Sequence, residues 1–104
     1  MRWNFKETPE FKQAINASLS VWDLGKEEIL SRCRQEPLAT ARAILMVTVR
    51  ERSNMSLSAI GRAFNRDHGT VMHHTSGHTD RMFTDADYKE NFNAIGNYLD
   101  RVKL

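Results

Sequence analysis

Cysteine, proline and glycine are scarce in this sequence, which has one, two and five of them in 104 residues. The single cysteine, Cys33, excludes an internal disulfide framework and suits a reducing compartment. No apolar run approaches the length of a membrane span, and residues 1–11 have neither the apolar centre nor the cleavage site of a signal peptide. We therefore expect a cytoplasmic protein without a membrane partner. Its length allows one modest core, so we expect a single domain over residues 1–104.

Positive charge is concentrated in one part of the chain. The formal net charge is only +2, but residues 32–67 hold seven arginines against three acidic residues, while each flank sums to −1. All basic residues of this central region are arginines, and the arginine side chain can form paired hydrogen bonds with phosphate or guanine. The distribution indicates a surface for phosphates, although any single arginine could equally be solvated on a helix face.

Apolar residues recur at helical spacing along the chain, and little in the sequence favours strands. Thr8 and Pro9 form a helix opening, with a capping hydroxyl followed by proline in the first turn. The pattern predicts helices over residues 8–22, 26–32, 38–52 and 84–104. The last of these is amphipathic through Tyr88, Phe92, Ile95, Leu99 and Val102, and it needs either the domain's own core or a second subunit as its partner.

The most informative stretch runs from Ser56 to His74 and predicts two short helices separated by a tight turn. Ser56 is a candidate N-cap for the first helix, Asn65 suits the left-handed conformation of the turn, and Asp67 is a candidate N-cap for the second. Val71 and Met72 are predicted to lie in the core. Such a pair is a helix-turn-helix, in which the N-terminal residues of the second helix meet base edges in the major groove.

One spaced motif runs through this stretch, and its residues are Ile60, Gly61, Phe64, Arg66, Asp67, His68, Thr70, Val71 and His73. With this motif the chain resembles the duplex-binding C-terminal domain of the bacterial replication initiator DnaA, from about Trp22 to about Met82. The upstream segment from Ile29 to Arg34 is similar to the family's short helix and basic loop. A match of this length with spaced basic positions is specific.

This resemblance implies an all-α domain of five or six helices with a Trp-repressor-like helix-turn-helix, in which double-stranded DNA is the partner. Asp67 and His68 are expected to contact bases in the major groove, and Arg34 is expected in the minor groove. Asp67 has a structural reading too, as the N-cap. Phosphate contacts are expected from Arg42, Arg50, Ser56, Leu57, Arg66, Thr70 and His73.

The sequence also departs from the family. Gly69 stands where the family has threonine or serine, so we expect a different sequence preference. Gly77 and His78 replace a basic and an apolar residue, and two interior glycines, at about 1 kcal/mol each, favour a helix that ends early or bends. The 104 residues contain no GxxxxGK[ST] motif, so ATP-driven melting of a duplex cannot be carried over. We expect a free-standing regulator or accessory replication protein, acting in replication, transcription or a mobile element.

Two other functions stay open. His68, His73, His74 and His78 cluster within eleven residues, but no cysteine or carboxylate lies at the right spacing to complete a metal site, so we expect neither metal nor cofactor. A protein-docking module or anti-initiator could use the same fold, with the terminal helices 8–22 and 84–104 binding a protein or a second copy. No nucleophile stands beside a base and an orienting group, so we do not expect an enzyme.

Overall fold

Six α-helices and no strands make up residues 8–102, the part of the chain that the computed structural model describes. This confirms the all-α prediction. The helices are α1 (Pro9–Trp22), α2 (Lys26–Leu30), α3 (Leu38–Arg52), α4 (Leu57–Phe64), α5 (His68–Thr84) and α6 (Ala86–Val102).

Three helices begin where the sequence predicts. The side chains of Thr8, Ser56 and Asp67 each accept a hydrogen bond from a backbone N–H in the first turn of α1, α4 and α5. Such caps satisfy donors that a helix start leaves open, and they confirm the three predicted N-caps. Local chemistry therefore sets the boundaries around the helix-turn-helix.

Helix α3 forms the centre of the core. Every residue from Ala41 to Val49 is buried, and α1, α2, α4, α5 and α6 all pack against α3. The ring of Phe11 from α1 meets the ring of Phe64 from α4 edge to face, with centroids 5.1 Å apart. Fully burying a large apolar side chain contributes about 1.5–3 kcal/mol, so this layer holds the helix-turn-helix to the rest of the chain.

The terminal helices α1 and α6 pack on each other and on α3. Trp22 Nε1 donates to Asn91 Oδ1 over 2.9 Å, and Tyr88, Ile95 and Leu99 of α6 are buried. The apolar stripe of α6 therefore covers this chain's own core, which was one of its two predicted partners. No helix of residues 8–102 is long and apolar enough to cross a membrane.

Several boundaries and one core assignment differ from the predictions. Helix α5 continues for 17 residues and does not end early at its glycines, because the Asp67 cap and packing on α3, α4 and α6 hold it. Helix α2 ends at Leu30, and α6 begins at Ala86. Val71 is fully buried as predicted, but the core prediction for Met72 was wrong, since Met72 is 50% exposed.

Candidate nucleic-acid interface

The turn between α4 and α5 is fixed by a close backbone approach. Asn65 is left-handed with φ of 61°, as predicted, and Arg66 N donates to Gly61 O over 2.7 Å. A Cβ atom on Gly61 would lie 2.5 Å from the carbonyl oxygen of Arg66, closer than real Cβ atoms come. Only glycine therefore allows the chain to fold back tightly enough to set the angle between the two helices.

Asp67 and His68 lie exposed at the opening of α5. Asp67 Oδ1 accepts from Thr70 N at 2.9 Å and from Thr70 Oγ1 at 3.1 Å, and neither bond uses Oδ2. The backbone hydrogen bond from Thr70 is the main cause that lowers the pKa of Asp67. Asp67 is therefore an ionised cap, and the Thr70 hydroxyl points its proton at Asp67 and not outward.

Arg42 is buried, and the structure gives it a role other than the predicted phosphate contact. Its side chain is 4% exposed, and its guanidinium donates to the backbone carbonyls of Glu28, Ile29, Ser31 and Cys33. With these donors engaged, Arg42 serves first to hold the loop against α3. Burial, followed by repulsion from Arg66, lowers the pKa of Arg42.

Arg66 ties the same loop to the helix-turn-helix. Its Nη2 donates to Ser31 O over 2.6 Å, and its Nη1 donates to the carbonyls of Phe64 and Asn65. Because Ser31 O also accepts from Arg42, one carbonyl joins the loop, α3 and the turn. The loop that carries Arg34 is thus held at a fixed position relative to α5. A phosphate could contact only those N–H groups of Arg66 that do not already donate to these carbonyls.

Arg50, near the end of α3, contacts the segment that leads into α4. It is exposed, and its Nη1 donates to Met55 O over 2.8 Å, next to Ser56 and Leu57. The Ser56 cap engages the amide of Ala59, and a helix leaves its first N–H groups without intrahelical partners. The guanidinium and the helix opening therefore form one positively polarised patch, which brings together three of the residues that are expected to contact phosphates.

A basic cavity of about 330 Å³ lies between the loop and α5. Among the described residues that line it, four are arginines and none is acidic. The lining includes the predicted site residue Arg34, and it also includes Arg32, Asn65 and His74, which the sequence did not identify as site residues. Burial, more than the nearby charges of His73 and Arg81, lowers the pKa of His74. The signal for His74 is its position one turn after Thr70, on the same side of α5.

The four histidines do not share one environment. His68 and His73 are exposed, and His74 borders the basic cavity. His78 lies 2.8 Å from Tyr88 OH through Nδ1, and its ring packs on Phe92. Within residues 8–102 no three histidine, cysteine or acidic side chains are grouped so as to hold a metal ion.

Comparison with known proteins agrees with this geometry. The family described as bacterial DnaA protein helix-turn-helix matches residues 14–76, a region that begins within α1, earlier than the predicted start at Trp22, and ends before Met82. The chromosomal replication initiator protein DnaA of Clavibacter sepedonicus is 33% identical over 90 residues, which cover 86% of this chain and 18% of that protein.

Two further relatives carry the same name. The protein of Cutibacterium acnes is 32% identical over 102 residues, covering 94% of this chain and 19% of its own length. That of Oleidesulfovibrio alaskensis is 40% identical over 53 residues, covering 51% of this chain and 12% of its own length. The chain spans about a fifth or less of these relatives. With more than half of its residues matched, including α4, the turn and the first half of α5, the chain belongs to the bacterial DnaA helix-turn-helix family.

Proposed function

We propose that this protein binds double-stranded DNA with a sequence preference through α4 and α5. One observation carries the proposal: the turn before α5, Thr70 and His74 of α5, and the loop with Arg32 and Arg34 border a single cavity that is lined by basic and neutral side chains. A recognition helix beside a fixed basic loop can meet a major groove and the neighbouring backbone together.

The proposed contacts are of two kinds: readers, which contact base edges, and anchors, which contact phosphates. Asp67 and His68 are proposed to contact base edges, because both are exposed at the N-terminal turn of α5. Arg34, exposed on the loop, is proposed to enter the minor groove, where negative potential attracts a guanidinium.

Phosphates are assigned to the surrounding groups. Arg50 with the amides at Ser56 and Leu57 forms one anchor, and exposed His73 forms another. Thr70 serves chiefly as a partner of Asp67 and would accept from a ligand rather than donate to it. Arg42 is not among the proposed phosphate contacts. Arg66 acts first by holding the loop through its hydrogen bond to Ser31 O.

The biological setting proposed is that of a regulator or accessory protein of replication or transcription in the cytoplasm. These 104 residues contain no nucleotide-binding GxxxxGK[ST] motif, so the helix-turn-helix would act on DNA without ATP-driven work of its own. A sequence preference unlike that of the initiator follows from Gly69, which brings no side chain to the first turn of α5.

Selection of binding sites from a random duplex pool tests the proposal. We expect an enriched motif, and we expect His68→Ala to lose about 1–3 kcal/mol of discrimination between the selected and a scrambled duplex. Weak binding to the scrambled duplex should persist, because phosphate contacts stay in place. Lys12→Ala, an exposed change on α1, is the matched control and should leave discrimination unchanged.

Two results would contradict this assignment. Equal losses on selected and scrambled duplexes would make His68 a general contact instead of a reader. Recovery of no duplex at low salt would remove DNA as the partner and favour protein docking.

A further inference from the structure

A second cavity, of about 500 Å³, lies at the opposite end of α5 from residues 65–68, the turn and helix start that we call the DNA-reading turn. It is formed by the C-terminal end of α1, the first half of α3 and the junction of α5 with α6, and we call it the distal groove. Trp22, Leu24 and Ile44 are among the side chains that give it an apolar floor. Its volume is in the range of pockets that hold ligands in proteins.

The distal groove carries an excess of negative charge. Glu36, Asp85 and Asp87 line it against one guanidinium, that of Arg81. Arg81 is already engaged, 3.5 Å from Asp85 Oδ2 and with its Cζ 4.2 Å above the Tyr88 ring. The groove therefore suits a ligand with both apolar and basic groups, and it repels the phosphates that the basic cavity attracts.

The distal groove and the DNA-reading turn are far enough apart to be occupied together. Arg81 lies thirteen positions after His68 in α5, which corresponds to about 20 Å along a helix. An occupant of the groove would therefore leave the DNA contacts of α5 free.

The segment that precedes the described part of the chain has the matching composition. Residues 1–7 read MRWNFKE, with two aromatic residues, Trp3 and Phe5, and two cations, Arg2 and Lys6, against one acid, Glu7. Aromatic side chains would bring large apolar area to a floor that includes Trp22, and the net positive charge of the segment complements the negative charge of the groove.

Residues 1–7 are too short a segment to place both aromatic side chains in the groove of the same molecule. Thr8 lies beside Met55 Sδ, at 3.3 Å, whereas the distal groove begins at Trp22, at the other end of the 14-residue α1, about 21 Å away. Even a fully extended backbone spans at most about 18 Å from Thr8 back to Trp3 and about 11 Å from Thr8 back to Phe5. Phe5 therefore falls short of the groove of its own molecule even with its side chain, so the two aromatic side chains can enter one groove together only in another molecule.

We propose that residues 1–7 of one copy bind in the distal groove of a second copy, so that the protein self-associates by exchanging this segment. Reciprocal exchange between two copies closes a symmetric dimer and uses both segments. This proposal does not depend on DNA binding, because the residues that carry it lie outside the proposed interface.

Sedimentation over a range of protein concentrations tests the proposal. We expect wild type to self-associate, and we expect Asp87→Lys to weaken the association about tenfold or more by opposing Arg2 and Lys6. Glu27→Lys is the matched control, since it also reverses an exposed acid in the first turn of a helix but lies outside the groove. Both variants should keep helical circular dichroism and a thermal unfolding midpoint close to wild type.

The segment itself is tested with two further changes. Trp3→Ala with Phe5→Ala should weaken self-association at least as strongly, and Lys6→Asp combined with Asp87→Lys should recover part of the loss. A fluorescein-labelled peptide MRWNFKE should bind the double variant Trp3→Ala, Phe5→Ala, whose groove is intact, and a peptide with alanine at both aromatic positions should not.

Three results would overturn the proposal. The first is a wild type that stays monomeric at every concentration reached. The second is self-association that Asp87→Lys leaves unchanged, which would place the contact elsewhere. The third is equal binding of the peptide without aromatic residues, which would make the groove a general site for basic segments.

Discussion

Gly61 is the residue on which the geometry of the helix-turn-helix depends. Gly61→Ala places a methyl group against the carbonyl of Arg66, a backbone atom that cannot move aside cheaply. We expect a loss of about 1–3 kcal/mol in the free energy of unfolding, measured by urea denaturation. Gly77→Ala is the control within α5, where no atom lies within 4 Å of the added Cβ, and it should stabilise by about 0.8–1 kcal/mol. A neutral result at Gly61 would mean that the turn can relax.

Substitutions of Arg42 and Arg50, two arginines of α3, should have opposite effects on stability and on DNA binding. Arg42→Ala removes the side-chain donor to the carbonyls of Ile29 and Cys33, while Ser31 O keeps the donor of Arg66, so we expect a loss of about 2–4 kcal/mol in the free energy of unfolding. Arg50→Ala should hardly change stability but should lower the slope of log affinity for DNA against log salt by about 0.9. A reduced salt slope in folded Arg42→Ala would return that residue to the phosphate contacts.

At the scale of the element, the opening of α5 combines a cap with a titratable group. The hydrogen bonds from Thr70 hold the pKa of Asp67 below its usual range. A lowered pKa in the folded protein stabilises the fold at a pH above the unfolded value of about 4, and this contribution disappears as the pH falls through the folded value. Asp67→Asn keeps a competent cap without the charge. We therefore expect the stability difference between wild type and Asp67→Asn, measured in thermal melts, to become smaller as the pH is lowered from about 4. A difference that is independent of pH would contradict the ionised cap.

The elements differ in how far the sequence predicts them. Caps and apolar spacing are local signals, so the starts of α1, α4 and α5 and the range of α3 are predicted directly. Arg42 shows the limit, because its partners lie 9–14 residues away along the chain and no local pattern distinguishes a buried arginine from a solvated one. Helix α5 shows a second limit, since tertiary packing outweighs the unfavourable propensity of its two glycines.

The candidate interface is predicted in part for the same reason. Asp67 and His68 are found from the helix start, and the structure shows them exposed there. His74 and Asn65 become neighbours of Arg32 only when the loop packs against α5, so spacing in the sequence does not group them.

At the scale of the whole molecule, stability should be graded outward from α3. Residues 41–49 are all buried and are contacted by every other helix, so their amides should exchange with solvent only through global unfolding. The five-residue α2 buries only Ile29, and residues 100–102 at the end of α6 are exposed, so both should open locally and exchange faster. Hydrogen exchange read by mass spectrometry or NMR measures this order, and addition of the selected duplex should slow exchange around residues 65–70 but not around the distal groove. Exchange of α3 that is as fast as that of α2 would contradict the central position of α3, while protection by DNA at Asp85 and Asp87 would contradict the separation of the two surfaces.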